Sequence, residues 1–191
     1  MGKFTVVSQD VFSQLQLDAG VLLTTFDPAN PRAPRDEEII TATTGGISVT
    51  LEPQYSDFGE DVDNCPANMK ELKHLDFWKA SMTFIALETS GEVIKFALGA
   101  ADITETNTYD KVKPRADLEQ SDFTSLWWVG DRVDGGAVAV ELLNALSTGG
   151  FGLQTTKAGK GQLSVTITGH VSINAQKVVP MNIYSIDPDE E

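Results

Sequence analysis

Apolar and polar residues alternate with a period of two over much of the chain, the pattern of strands with one buried face. The clearest run sets Leu163, Val165, Ile167, Gly169, Val171 and Ile173 against Ser164, Thr166, Thr168, His170 and Ser172. It predicts a strand whose outer face is small and polar, meeting water or a neighbouring subunit. Residues 47–52 repeat the pattern and stop near Pro53, which predicts a strand end or an edge. Residues 77–87, rich in aromatic and β-branched side chains, predict a third strand. Residues 126–129 predict a fourth, and residues 137–145, apolar on both faces, a fifth. A weaker strand pattern runs over residues 15–26, with Gly20 inside it. Residues 151–156 continue the fifth strand beyond Thr148, Gly149 and Gly150, as a bulge or a turn.

One segment reads as helix. Residues 90–101 open on Ser90 as N-cap, carry Glu92 in the first turn, and space apolar residues at 93, 96, 97 and 100. A second short helix is expected within residues 66–75. Two long connections remain. Residues 27–44 hold three prolines and mixed charge, and read as an extended surface loop. Residues 55–76 separate two good strands by about twenty positions, longer than connections usually are unless they have a task. This segment carries Tyr55, Phe58, Met69 and Leu72, the anchors expected of an arm that docks on a partner. An Ω-loop folded on its own domain is the other reading. Nothing splits the 191 residues, so one domain is expected over 1–191: a lead over 1–14, the two long loops, and an acidic tail over 187–191.

Charge narrows the classes. The chain has 28 acidic and 14 basic residues, a net charge of −14. Gripping nucleic acid needs Lys and Arg against phosphates, so this balance argues against it, as it does against anionic membranes. Residues 27–76 hold eleven acids and four bases, whereas residues 155–176 hold Lys157, Lys160 and no acid. An acidic loop and a basic hairpin tip on one molecule can meet head-to-tail on neighbours. The single cysteine, Cys65, excludes an intramolecular disulfide framework. No signal-peptide pattern and no long uncharged apolar run are present, so folding in a cytosol is expected.

Catalytic chemistry has little to stand on. The two histidines, His74 and His170, sit among polar residues and read as solvated. No nucleophile elbow, zinc-protease helix, phosphate loop or dinucleotide fingerprint occurs. The acidic run Asp57, Glu60, Asp61, Asp63 and Asn64 could supply calcium's oxygen ligands, but it lacks the alternating ligands of an EF-hand loop. No enzymatic activity, metal or cofactor is expected.

Several segments together carry a family resemblance. They are residues 14–23 (QLQLDAGVLL), 44–47 (TGGI), 56–73 (SDFGEDVDNCPANMKELK), 123–131 (FTSLWWVGD), 144–154 (NALSTGGFGLQ) and 161–170 (GQLSVTITGH). With these turn glycines, aromatics and loop residues the chain resembles the major tail tube proteins of long-tailed, non-contractile bacteriophages and related prophages. The resemblance spans about residues 15–186. It implies a mainly β fold, a β-sandwich or half-barrel flanked by one α-helix, with a long inter-strand loop. It also implies hexameric rings stacked into a hollow conduit for DNA ejection. The implied partners are further copies of the chain, the tape measure, the tail terminator and the tail tip. DNA would pass through the lumen without specific binding, and no membrane is involved. The implied location is the virion tail, assembled in the bacterial host cytoplasm.

On that reading, residues 55–76 reach a neighbouring subunit through Tyr55, Phe58, Met69 and Leu72, with Leu17 in a second contact. Glu52 and Glu141, acids on strand polar faces, are candidates for an acidic lumen wall that keeps a polyanion hydrated and centred. The rival is a β-sandwich binding module for carbohydrate or protein, assisted by calcium, with Trp78, Trp127 and Trp128 as stacking candidates. Adjacent tryptophans in a strand point to opposite faces, so at least one of Trp127 and Trp128 is expected in a core.

Overall fold

Strands form where the alternation is strongest, and tertiary pairing then extends or cuts them. The computed structural model describes residues 9–188. The first eight residues of the expected lead and the last three of the acidic tail lie outside the described residues. After a 3₁₀ turn over Gln9–Phe12, the elements run β1 (Val21–Leu23), β2 (Thr43–Asp57), β3 (Lys73–Ala86), α1 (Gly91–Leu98), β4 (Ala101–Glu105) and β5 (Asp110–Pro114). They continue with β6 (Thr124–Asp131), β7 (Ala137–Ser147), β8 (Leu153–Gln154), β9 (Gln162–Gly169) and β10 (Met181–Ile186). The chain is mainly β with one α-helix, as a β-sandwich flanked by a helix requires.

All pairings are antiparallel, and the main sheet runs β1-β6-β7-β9-β3-β2. β10 pairs with residues 137–142 of β7, and β9 pairs with residues 145–147 of the same strand. β7 thus hands over from one layer to the other. At the handover Asn144 takes a φ of +46°, its Nδ2 donates to the His170 carbonyl at 2.8 Å, and the β6–β7 register shifts. One core lies between the layers. It gathers Met82 and Phe84 from β3, Val165 and Ile167 from β9, Leu126 from β6, and Leu142 from β7. α1 closes it with Val93 and Ala97.

Several expectations are corrected. The 163–173 alternation holds in β9 only as far as Gly169, and Val171 and Ile173 end up exposed, Ile173 by 81%. A Cβ on Gly169 would meet Leu142 Cδ1 at 2.7 Å and the Pro180 carbonyl oxygen at 2.8 Å, so the chain turns where no side chain fits. β2 does not stop at Pro53, which pairs with Trp78. β2 is the edge of the sheet, where a missing N–H on the outer side costs no pair. The helix expected within 66–75 is absent, since residues 73–75 belong to β3 opposite Tyr55, Ser56 and Asp57. A helix that short is marginal alone, and cross-strand pairing wins. The strand expected over 15–26 shrinks to β1, and residues 151–156 pair only as the two-residue β8 against β9.

α1 is shorter than expected at its far end. Ser90 Oγ accepts from the Val93 N–H at 3.4 Å, and Gly99, with φ +75°, ends the helix before Ala101 enters β4. Residues 27–44 are pinned rather than free. Buried Glu38 takes Arg32 Nη1 at 2.9 Å and the Arg35 N–H at 2.9 Å, and its backbone bonds to Thr24. The two tryptophans of β6 do face opposite ways. Trp128 packs on the main core, and Trp127 joins Leu23 and Ala139 on the other face, stacked on Tyr184 at 5.6 Å.

Candidate functional site

The β2–β3 hairpin divides in two. From Ala80 onward β3 alternates buried and part-exposed residues over the core, whereas residues 73–77 are exposed on both faces. Beyond the core the hairpin continues as a two-stranded ribbon, bare along β3 and half-buried at Pro53, Gln54, Ser56 and Asp57 of β2, and such a ribbon is marginal on its own in water. Tyr55, opposite Leu75, is exposed, as are Leu75 and Phe77. The long loop expected over 55–76 is in fact this ribbon plus a tip of residues 58–72.

The tip is folded on itself. Phe58 N–H donates to the Leu72 carbonyl at 3.1 Å, and the Asp57 carboxylate accepts from the Gly59 and Asn68 N–H groups at 3.0 and 3.2 Å. Lys73 Nζ donates to Asn68 Oδ1 at 2.9 Å. Leu72 is half-buried, and a Cβ added to Gly59 would meet its Cδ1 at 2.8 Å, so Leu72 supports the tip from within. Phe58 instead stands 66% exposed, touching the exposed His74 ring at a centroid distance of 5.7 Å, and Met69 is also exposed. The structure thus brings Tyr55, Phe58 and Met69 to one projecting element and turns Leu72 inward. Sequence reading missed Leu75 and Phe77, because it placed Leu75 in a short helix and Phe77 at the start of a strand read from its aromatic and β-branched content. Leu17 lies elsewhere, against the end of β6 through its N–H to the Asp131 carbonyl at 2.8 Å. It helps line a cleft of about 750 Å³ with Val21, Phe26, Pro34, Val129 and Ile186.

The outer face of β2, β3 and β9 forms a hydroxyl surface. Cross-strand rows run Ser48–Thr83–Thr166 and Thr50–Ser81–Thr168. Thr50 and Ser81 hydroxyls lie 2.7 Å apart, those of Thr83 and Thr166 3.4 Å, and those of Thr148 and Thr168 2.8 Å. Glu52 sits on this surface, exposed and opposite Lys79. Glu141 does not. It is half-buried on the other layer, opposite Trp127, and accepts from Asn182 Nδ2 at 2.9 Å. Beside it the Tyr184 phenol is held above its ordinary pKa, chiefly by burial and then by the Glu141 charge. The two lumen candidates therefore occupy different layers.

Among the described residues no group of three or more His, Cys, Asp or Glu is placed to hold a metal ion. His170, expected solvated, is half-buried against the Phe123 ring at 5.4 Å, with Nδ1 3.2 Å from the Asn144 carbonyl oxygen. Trp127 is only 7% exposed and Trp128 Nε1 donates to the Ala19 carbonyl at 3.0 Å, so neither offers a free stacking platform. Among the described residues no helix is long and apolar enough to cross a membrane. No protein-family model matches the chain, and no curated protein matches it in sequence.

Proposed function

We propose that this chain is a tube-forming subunit, the major tail tube protein of a long-tailed phage or related particle, assembling as stacked hexameric rings around a DNA conduit. The observation that carries the reading is the β2–β3 ribbon, which projects beyond the core with Tyr55, Phe58, Met69, Leu75 and Phe77 exposed. Such a ribbon gains its missing burial by lying on another copy. The open edge of β2, fifteen residues long, supports the same conclusion, since joining sheet edges between subunits removes an aggregation hazard.

The hydroxyl surface is suited to the conduit wall. Its rows present no line of cations to bind phosphates, and Lys79 faces Glu52. A passing polyanion would meet hydrated Ser and Thr with a repulsive background from the net charge of −14. A wall of this kind carries Glu52 and leaves Glu141 outside it. The tape measure, terminator and tail tip would contact the ends and bore of such a tube.

The test is negative-stain electron microscopy and sedimentation over a concentration series. Hollow tubes of uniform width are expected from the unaltered protein, and a folded monomer from a variant with residues 58–72 replaced by a Gly/Ser linker. Normal tubes from that variant would overturn the role given to the arm.

A further inference from the structure

An arm that docks needs a receiver, and the topology sets one at the opposite end of the molecule. β3 runs from Lys73 beside the arm tip to Ala86, and β9 lies antiparallel to it with Leu163 opposite Ala86. The turn between β8 and β9, residues 155–161, therefore lies at the far end of the sheet, roughly 40 Å from the start of β3 at the usual rise per residue.

The two ends are complementary. Residues 57–73 carry five acids and two lysines, whereas residues 155–177 carry three lysines and no acid. Glu60, Asp61, Asp63, Lys157 and Lys160 are exposed, and none of them takes part in an ion pair among the described residues. Apolar groups flank both sets. Phe58 and Val62 are exposed at the arm tip, and Phe151 and Leu153 beside the lysine turn. The arm tip also has an open hollow of about 650 Å³, lined by Tyr55, Asp57, Phe58, Glu60 and the chain's own Lys73. Glu88 and Glu92, both exposed near the start of α1, would repel an acidic tip approaching beside the helix.

We propose that the arm tip of one copy docks on the β8–β9 turn of the next, acids against Lys157 and Lys160, and Phe58 against Phe151 and Leu153. The proposal rests on the tube reading and specifies which surfaces stack. The contact is head-to-tail, a kind that propagates wherever the rotation between copies does not close a ring. Each ion pair is weak alone, but a ring presents the contact several times at once.

The experiment uses two charge-reversed proteins, Lys157→Glu with Lys160→Glu, and Glu60→Lys with Asp61→Lys. All four positions are exposed, so both proteins should melt within a few degrees of the unaltered chain. Each alone is expected to need at least a tenfold higher concentration to form tubes. An equal mixture is expected to assemble near the unaltered threshold, because each tip then meets a turn of opposite sign. Assembly of either variant at the unaltered threshold, or a mixture that does not recover, overturns the pairing and leaves the tube reading standing. Unaltered protein that stays monomeric at every concentration overturns the tube reading and this pairing with it.

Discussion

Truncating Phe58 to alanine separates a contact residue from a core residue. A phenylalanine side chain buries roughly 200 Å² when covered. Phe58 is 66% exposed, so about 130 Å² remains to be covered by a partner. At about 25 cal/mol per Å² this is worth about 3 kcal/mol, of which an alanine methyl keeps somewhat under 1. The loss of about 2 kcal/mol per contact raises the threshold concentration for assembly about thirtyfold. Within the subunit Phe58 loses only its ring contact with His74, worth at most about 1 kcal/mol, or a melting shift of about 2–4 °C for a chain of this size. Light scattering against concentration reads the first quantity and circular dichroism melting the second. A melting temperature lowered by about 8 °C or more, with the threshold unchanged, would show that Phe58 supports the fold and does not meet a neighbour.

Two further predictions probe the scaffold. Gly169→Ala should destabilise the subunit by about 1–3 kcal/mol, because the new methyl must displace the Pro180 carbonyl and Leu142 at the layer handover; urea unfolding measures it, and an unchanged midpoint would mean that the corner yields freely. The Glu38 carboxyl is held down to about 2 by its hydrogen bonds from Arg32 and the Arg35 N–H. Its folded pKa is below the unfolded one, so its stabilisation is present above about pH 4.5 and is lost as pH falls towards 2. Glu38→Gln should therefore flatten the fall in stability between pH 5 and 2, and parallel pH profiles for the two proteins would refute this.

Legibility of the fold followed how locally each element was determined. β9 could be read because Leu163, Val165 and Ile167 all reach one core, and α1 because Ser90 and Gly99 mark its ends within the helix itself. β10 could not, since Ile183 points to solvent and breaks the alternation, and the strand exists because residues 137–142 of β7 offer it a ladder. The charged Asp110–Pro114 strand is likewise specified by its partner β4 and by contacts to α1. For the arm, the sequence marked Tyr55, Phe58 and Met69 as anchors. It misread residues 73–75 as helix, because the pairing that makes them strand comes from residues 55–57, far along the chain.

The arm also shows why one strand pattern can serve two ends. From Ile47 to Leu51 the alternating apolar residues of β2 lie against the core, and Ser48 and Thr50 join the hydroxyl rows. Past Pro53 only Tyr55 continues that alternation in β2, and with no core beneath it the ring becomes available surface. The bulge between Gln54 and Tyr55 falls where the sheet ceases to be covered, and a bulge increases local twist. A bare continuation of a covered edge strand leaves Tyr55, Leu75 and Phe77 too poorly buried to be satisfied alone. In the proposed tube the wall and the arm then belong to one continuous hairpin, so the covered half would set the direction in which the bare half reaches the next copy.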